Sequence, residues 1–230
     1  MRILALDTAT ENCSAALWID GDLLQRELEA ERGHAELILG MIDELLRESG
    51  TPLASLDAIA FGRGPGSFTG VRLAASVTQG LAFGAGVPVV PISDLQAVAQ
   101  RAAGDSAAPQ RILVCNDARM KEVYWACFER SIAGPMLAVG MERVSKPSDV
   151  QLPDEWATKP ASGAGRGFAA YTDLRVSLSG RLTRIDDAVL PGAREVALLA
   201  VVEVRAGRVL SPEAAVPVYI RNEVATPKTP

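Results

Sequence analysis

The densest group of residues suited to chemistry is Gly62-Arg63-Gly64-Pro65-Gly66-Ser67-Phe68-Thr69-Gly70-Val71-Arg72, which follows a short apolar run at 58–61 and opens an apolar helix. A strand, a glycine loop and a helix capped by Ser67 or Thr69 point free backbone N–H groups at an anion, so phosphate binding is the first chemistry to weigh. The residue types speak against it. A P-loop closes on Gly-Lys-Ser/Thr, whereas this loop closes on Phe68-Thr69-Gly70 with no lysine. The glycines also miss the G-x-G-x-x-G spacing of a dinucleotide fold. The sole histidine, His34, has no Ser or Cys triad context and falls at the start of a helix, where it either meets a partner or caps the helix and faces water. Cys13, Cys115 and Cys127 are an odd number without C-x-x-C spacing, which suggests neither a disulfide framework nor a zinc site. Arg63 and Arg72 flank the loop, either as contacts to phosphate or to an acidic surface, or as solvated cations.

The helices around the loop are more informative than the loop itself. Gly70, Gly80 and Gly84 lie in or at the end of the following helix, and each interior glycine costs about 1 kcal/mol relative to Ala. Gly70, Ala74, Val77 and Leu81 form one stripe whose first two members are small, and close approach of another helix there would offset that cost. An earlier helix, residues 34–48, carries Leu37, Ile38, Leu39, Met41, Ile42, Leu45 and Leu46 over an arc of roughly 200°, about twice an ordinary core-facing stripe. Such a helix has two surfaces to bury, one on its own sheet and one on a partner, unless the monomer sandwiches both. With a partner, His34, Leu37, Ile38, Met41, Leu45, Gly70, Leu73, Ala74, Val77 and Leu81 are the expected interface. Leu45→Asp or Ala74→Arg is then expected to break pairing and spare the fold.

Around these helices the order reads as strands 2–7, 14–19 and 23–28 (the last two joined by the Asp20-Gly21 turn), helix 34–48, strand 56–61, the loop and its helix, strand 87–92, and a helix capped by Ser93-Asp94. This βββαβαβα order is an α/β layer fold. The stretch 102–109 divides a lobe of residues 1–105 from one of 106–230, with the tail 212–230 packing back on the first. Residues 111–117 then echo 2–7, and 123–128 echo 15–18 with a tryptophan in each, a weak repeat in sequence and a coherent one in topology. Strand 136–141, a Pro-rich stretch 146–160, a turn at 162–165, helix 195–205 and an extended segment 216–221 follow; 142–192 carry no motif. The 230 residues include no apolar run near the ~20 a membrane span needs. The start reads as a strand rather than a signal peptide, and a cytoplasmic chain is expected. A net charge of −5 disfavours direct wrapping of nucleic acid.

Two halves that each begin with a β-meander ending in a carboxylate resemble the duplicated, RNase H-like fold of the actin, sugar kinase and Hsp70 superfamily, the actin-like ATPase fold, with the second lobe degenerate. Four motifs narrow the resemblance: Ile3-Leu4-Ala5-Leu6-Asp7-Thr8-Ala9-Thr10, His34-Ala35-Glu36-Leu37, the run Gly64 to Arg72, and Pro217-Val218-Tyr219-Ile220-Arg221. They span nearly the whole chain and look like the TsaB (YeaZ) family; the Gly-Pro-Gly-Ser-Phe-Thr-Gly-Val-Arg run is the specific one. The resemblance implies an accessory subunit, without catalysis of its own, in making the tRNA base threonylcarbamoyladenosine. It implies pairing with the larger paralogue TsaD, and with a second copy when alone, through the first two helices. The ATPase TsaE joins the complex, and tRNA is reached through it.

The same resemblance locates chemistry that this chain lacks. TsaD-like relatives hold a metal with two histidines four apart, and the matching positions here are Asp94 and Val98. Asp94 could ligate a metal but reads more simply as a helix N-cap, and Val98 cannot ligate. The superfamily keeps an acid for a metal-bound nucleotide where Asp7 stands, with Asn116 or Asp117 as its counterpart. Asp7, Thr8, Thr10, Asn116 and Asp117 are therefore either a surviving ATP or ADP site or ordinary satisfied turns. No cofactor is required. An ATP-dependent kinase or hydrolase using Asp7 is the rival reading, and a metallopeptidase a weaker one.

Overall fold

The computed structural model describes residues 1–105, 110–130 and 134–221. The apolar run Arg2–Asp7 forms β1, the middle of a five-stranded sheet in the order β3-β2-β1-β4-β5. Strands β2 (Asn12–Ile19) and β3 (Asp22–Glu29) complete an antiparallel meander, turned at Asp20 and Gly21, whose φ angles are 50° and 121°. Helix α1 (His34–Ser49) leads to β4 (Ala58–Gly62), parallel to β1, and α2 (Phe68–Ala85) leads to β5 (Val89–Ile92). Every residue of β4 is buried, as the apolar run of a parallel central strand requires. Helix α3 (Asp94–Ala103) closes the first half.

The second half repeats the plan. Strands β6 (Gln110–Asp117), β7 (Val123–Arg130) and β8 (Leu137–Ser145) form the meander, and β9 (Ala161–Ala164) and β10 (Leu182–Asp186) add parallel strands on the other side of β6. Read from β8, this sheet has the same order as the first, so the duplication expected from the sequence is present in the topology. The degeneracy is equally plain. Where α1 stands in the first lobe the second has only the 3-10 turns Pro147–Asp149 and Asp154–Trp156, and α2 is matched by two short helices, α4 (Gly167–Ala170) and α5 (Thr172–Ser177). Trp156 and Phe168, each 1% exposed, belong to the core on that side of the second sheet.

Residues 162–165, read as a glycine turn, instead supply most of β9, beside β6. The strand needs glycine because a Cβ at Gly163 would lie 2.8 Å from Phe168 Cζ. Of the boundary stretch 102–109, residues 106–109 lie outside the described residues, as do 222–230 of the tail.

Coverage of the two sheets positions everything else. Helices α1 and α2 lie on one face of the first sheet, with Ile38, Ile42, Leu45, Ala74, Ala75 and Ala82 packed on Leu4, Leu6, Leu17, Ile59 and Phe61. Its other face receives α6 (Ala193–Arg205) from the second half, where Val196, Ala197 and Ala200 meet Ile3, Ala5, Ala16, Ala58 and Ala60. Reciprocally, Leu95, Val98 and Ala99 of α3 pack on Ile112, Val114, Ala126 and Phe128 of the second sheet. Each half thus sends its last helix onto the other's sheet.

Candidate functional site

The glycine loop is a structural joint. Ser67 is the N-cap of α2, accepting from Gly70 N at 3.0 Å. Its own N–H donates to Ala9 O at 2.7 Å, and Thr8 Oγ1 donates to Gly70 O at 2.7 Å. The loop therefore lies directly on the turn after β1: a Cβ on Gly66 would sit 2.6 Å from Ala9 O, and one on Gly70 would overlap Thr8 O. Gly64 N donates to the Asp94 carboxylate. The N–H groups of Gly64, Ser67 and Gly70 are thus committed to the protein, which explains a glycine-rich loop without a phosphate.

Asp7, at the end of β1, has no solvent exposure. Its Oδ1 accepts from Ala9 N at 2.8 Å and its other oxygen faces Asp94. Asp94 is not the N-cap expected from the sequence. Ser93 takes that role, accepting from Gln96 N at 3.2 Å, and Asp94 is the first helical residue, its side chain turned inward. Full burial pushes both carboxyls up, Asp94 well above the usual carboxylate range because Asp7 adds a like charge. Val98 is in the core. Among the described residues no three His, Cys, Asp or Glu side chains group as a metal site.

Of the other nucleotide candidates, Thr8, Thr10 and Asp117 are engaged, while both polar atoms of the Asn116 side chain are buried without a hydrogen-bond partner among the described residues. Thr8 is buried, and Thr10 Oγ1 accepts from Asn12 N at 3.3 Å. Asn116, 7% exposed, lies under Gly165, where a Cβ would come 2.5 Å from its Oδ1. Asp117 accepts from Arg119 N at 2.8 Å, from the Arg119 guanidinium at 3.2 Å and from the Tyr171 hydroxyl at 2.8 Å. Between the lobes Arg166 reaches Glu29 at 2.8 Å and Glu11 at 3.5 Å. Strand alternation matches Asp7, on the face of β1 that carries Ile3 and Ala5, with Asn116, on the face of β6 that carries Ile112 and Val114; Asp117 lies on the opposite face and spends its oxygens on protein donors.

The helical surface differs from the one read in the sequence. Ile38, Leu45, Gly70 and Ala74 are buried in the monomer, so they leave the expected interface, and charge at Leu45 or Ala74 would break the fold rather than spare it. A small-residue stripe looks the same whether it admits a sheet or a partner; here it admits the chain's own sheet and turn. His34 Nε2 donates to Thr10 O at 2.9 Å, and Gly33, not His34, is the N-cap of α1. Leu37, Met41, Leu73, Val77 and Leu81 remain partly exposed. Leu39, Phe83, Gly40, Gly80 and Gly84 are also exposed on these two helices, outside the residues expected at an interface. The spacing of Leu73, Val77, Gly80 and Gly84 was the available signal.

Both arginines flanking the loop have partners within the chain. Arg63 donates to both Glu142 oxygens at 3.1 Å, across the lobes. The Arg72 guanidinium stacks 3.6 Å from the Phe68 ring centre and donates to the Tyr219 hydroxyl at 2.7 Å. Val218 N donates to Arg63 O at 2.8 Å and Arg221 pairs with Glu122, so residues 218–221 run from the glycine loop to the β6–β7 turn.

Comparison with known proteins follows the same lines. Residues 28–227 match the family model described as TsaD: tRNA N6-adenosine threonylcarbamoyltransferase. The chain is 43% identical to the tRNA threonylcarbamoyladenosine biosynthesis protein TsaB of Escherichia coli K12, an alignment covering 100% of this chain and 99% of that one. It is 41% identical to the protein of the same description from Haemophilus influenzae, over 100% and 98% of the two. A solved structure of YeaZ from Pseudomonas aeruginosa superposes with a TM-score of 0.86 at 42% identity, covering 95% of this chain and 99% of the other.

Proposed function

The chain belongs to the TsaB (YeaZ) family, and on that premise we propose that it serves threonylcarbamoyladenosine synthesis on tRNA as a scaffold and activator subunit without catalysis of its own. In this reading it pairs with TsaD, the paralogue that transfers the threonylcarbamoyl group, and TsaE joins the pair. It works in the cytoplasm, needs no cofactor of its own, and meets tRNA through the complex.

The observation that carries the reading is the outward side of α1 and α2. Leu39 and Phe83 are 52% and 71% exposed, with Leu37, Met41, Leu73, Val77 and Leu81 half-buried on the same two helices. Exposed apolar surface of this kind marks an interaction site. Gly40, Gly80 and Gly84 leave bare backbone on these helices, and a Cβ at any of them meets nothing within 4 Å in the monomer. Their helix-propensity cost is offset when a second helix approaches closely. Two such helices against two from a partner make a four-helix contact. A surface able to meet its own copy gives a two-fold homodimer when the chain is alone.

Reconstituted modification of unmodified tRNA tests the proposal, with TsaD, TsaE and a threonylcarbamoyl-AMP source, with and without this chain. The expected result is dependence on the chain, lost in Leu39→Asp/Phe83→Asp. Modification that proceeds equally well without the chain refutes the role. If the chain is needed and the double variant is fully active, the role stands and the surface is wrong.

A further inference from the structure

We infer that Asp7 and Asp94 hold one proton between them, as a buried clasp joining the end of β1 to the start of α3. The geometry carries this. Asp7 Oδ1 is taken by Ala9 N and one Asp94 oxygen by Gly64 N, which leaves one oxygen on each carboxyl without any other partner among the described residues. Those two oxygens converge on the same point: a Cβ on Gly62 would overlap Asp94 Oδ1 and come 2.8 Å from Asp7 Oδ2. Glycine at 62 is what admits the pair. As two carboxylates they would be acceptor against acceptor; one proton turns the contact into an O–H···O bond.

The surroundings favour keeping that proton. Both side chains have no solvent exposure, and burial is the largest influence on each, raising both. The charged or titratable groups that reach Asp7 are His34 of α1, Glu27 of β3 and Cys13 of β2, and Arg63 of the glycine loop reaches Asp94. His34 and Arg63 favour ionisation, and so does the N-terminus of α3, yet each stabilises one negative charge and none relieves the second. The two titrate as a pair, with the proton shared between their facing oxygens.

The position gives the clasp a consequence. Asp7 belongs to the first sheet, while α3 packs on the second, so the bond ties the sheet of one lobe to the helix that seats the other. The folded pair has an affinity for protons above that of the unfolded aspartates. Its stabilisation is therefore complete below the ordinary aspartate pKa and falls away as pH rises through the raised value of the pair.

Thermal unfolding of the full chain from pH 4.5 to 8 tests this with Asp94→Asn, Asp7→Asn and the double variant. Either single amide supplies an N–H in place of the shared proton and keeps the remaining acceptor. Each single variant is expected to fold, with a Tm whose advantage over wild type widens as pH rises. The double variant, with one amide left facing a donor, should fall below the sum of the singles. The labelled carboxyl carbons of Asp7 and Asp94 should report one proton between the two at pH 7. A constant Tm difference across pH, failure of either single variant to fold, additivity in the double, or both carboxyls ionised at pH 7 would each overturn the clasp. So would a wild-type Tm raised by magnesium or manganese and lowered by EDTA, because a cation would then join the two carboxyls.

Discussion

Replacing Gly40 and Gly80 by alanine should make this protein more stable and worse at pairing. Both glycines lie inside helices, α1 and α2, both are exposed, and neither has the left-handed backbone that only glycine accepts with ease. An added Cβ meets nothing within 4 Å in the monomer. The isolated chain should gain about 1 kcal/mol per site, about 2 kcal/mol together, or about 4–8 °C in Tm for a chain of this size. On a helix–helix contact the same methyls are an intrusion. Overpacking costs about 1–3 kcal/mol per site, so the two together predict an affinity loss of about 30-fold or more. Sedimentation and thermal unfolding over a range of protein concentrations read both effects at once. Wild-type Tm should climb with concentration, since association stabilises the folded chain. The double variant should start higher and stay flat. A variant less stable than wild type at low concentration would refute the helix argument, and unchanged pairing with the copy and with TsaD would refute the interface.

Leu45→Ala should cost about 2–5 kcal/mol in denaturant unfolding because Leu45 is fully buried, whereas Leu39→Asp should change folding by no more than about 0.5 kcal/mol and abolish pairing. The thiols should resist a disulfide reagent at pH 8 in the native chain and react on unfolding. All three are buried, and burial pushes Cys13 up to about 11, Cys127 up to about 12 and Cys115 well above its ordinary value, so the thiolate is scarce as well as shielded.

What the sequence made legible followed physical strength of signal. The apolar runs at Arg2–Asp7 and Gln110–Asp117, each followed by a tryptophan-bearing strand, are buried central strands, and their periodicity revealed the duplicated meander. Of the broad arc of α1, Ile38, Ile42 and Leu45 are buried, Leu37, Met41 and Leu46 pack against the same core, and Leu39 is exposed. Small residues were misleading because packing on a sheet and packing on a partner select the same side chains. Ala74 and Gly80 differ only in the direction they face. Ala161–Ala164 was illegible as a strand since none of its residues is β-branched or aromatic, and its place is decided by β6 and Phe168. Asp94 could not be told from a cap, because its partner Asp7 is distant in sequence and the two meet only once β4 and the loop are formed.

The exchange of α3 and α6 between the halves has a consequence for the newborn chain. The first sheet is complete once β5 has been made, yet the helix that covers its second face is roughly a hundred residues further along. At about 5–20 residues per second, Ile3, Ala5, Ala58, Ala60 and Val90 wait roughly 5–20 s for Val196, Ala197 and Ala200 to leave the ribosome. Helix α3 waits a shorter time, until β6 and β7, the strands it rests on, are complete at Arg130. The order of synthesis thus hands the cell a molecule whose first sheet keeps one apolar face bare until the last helix emerges.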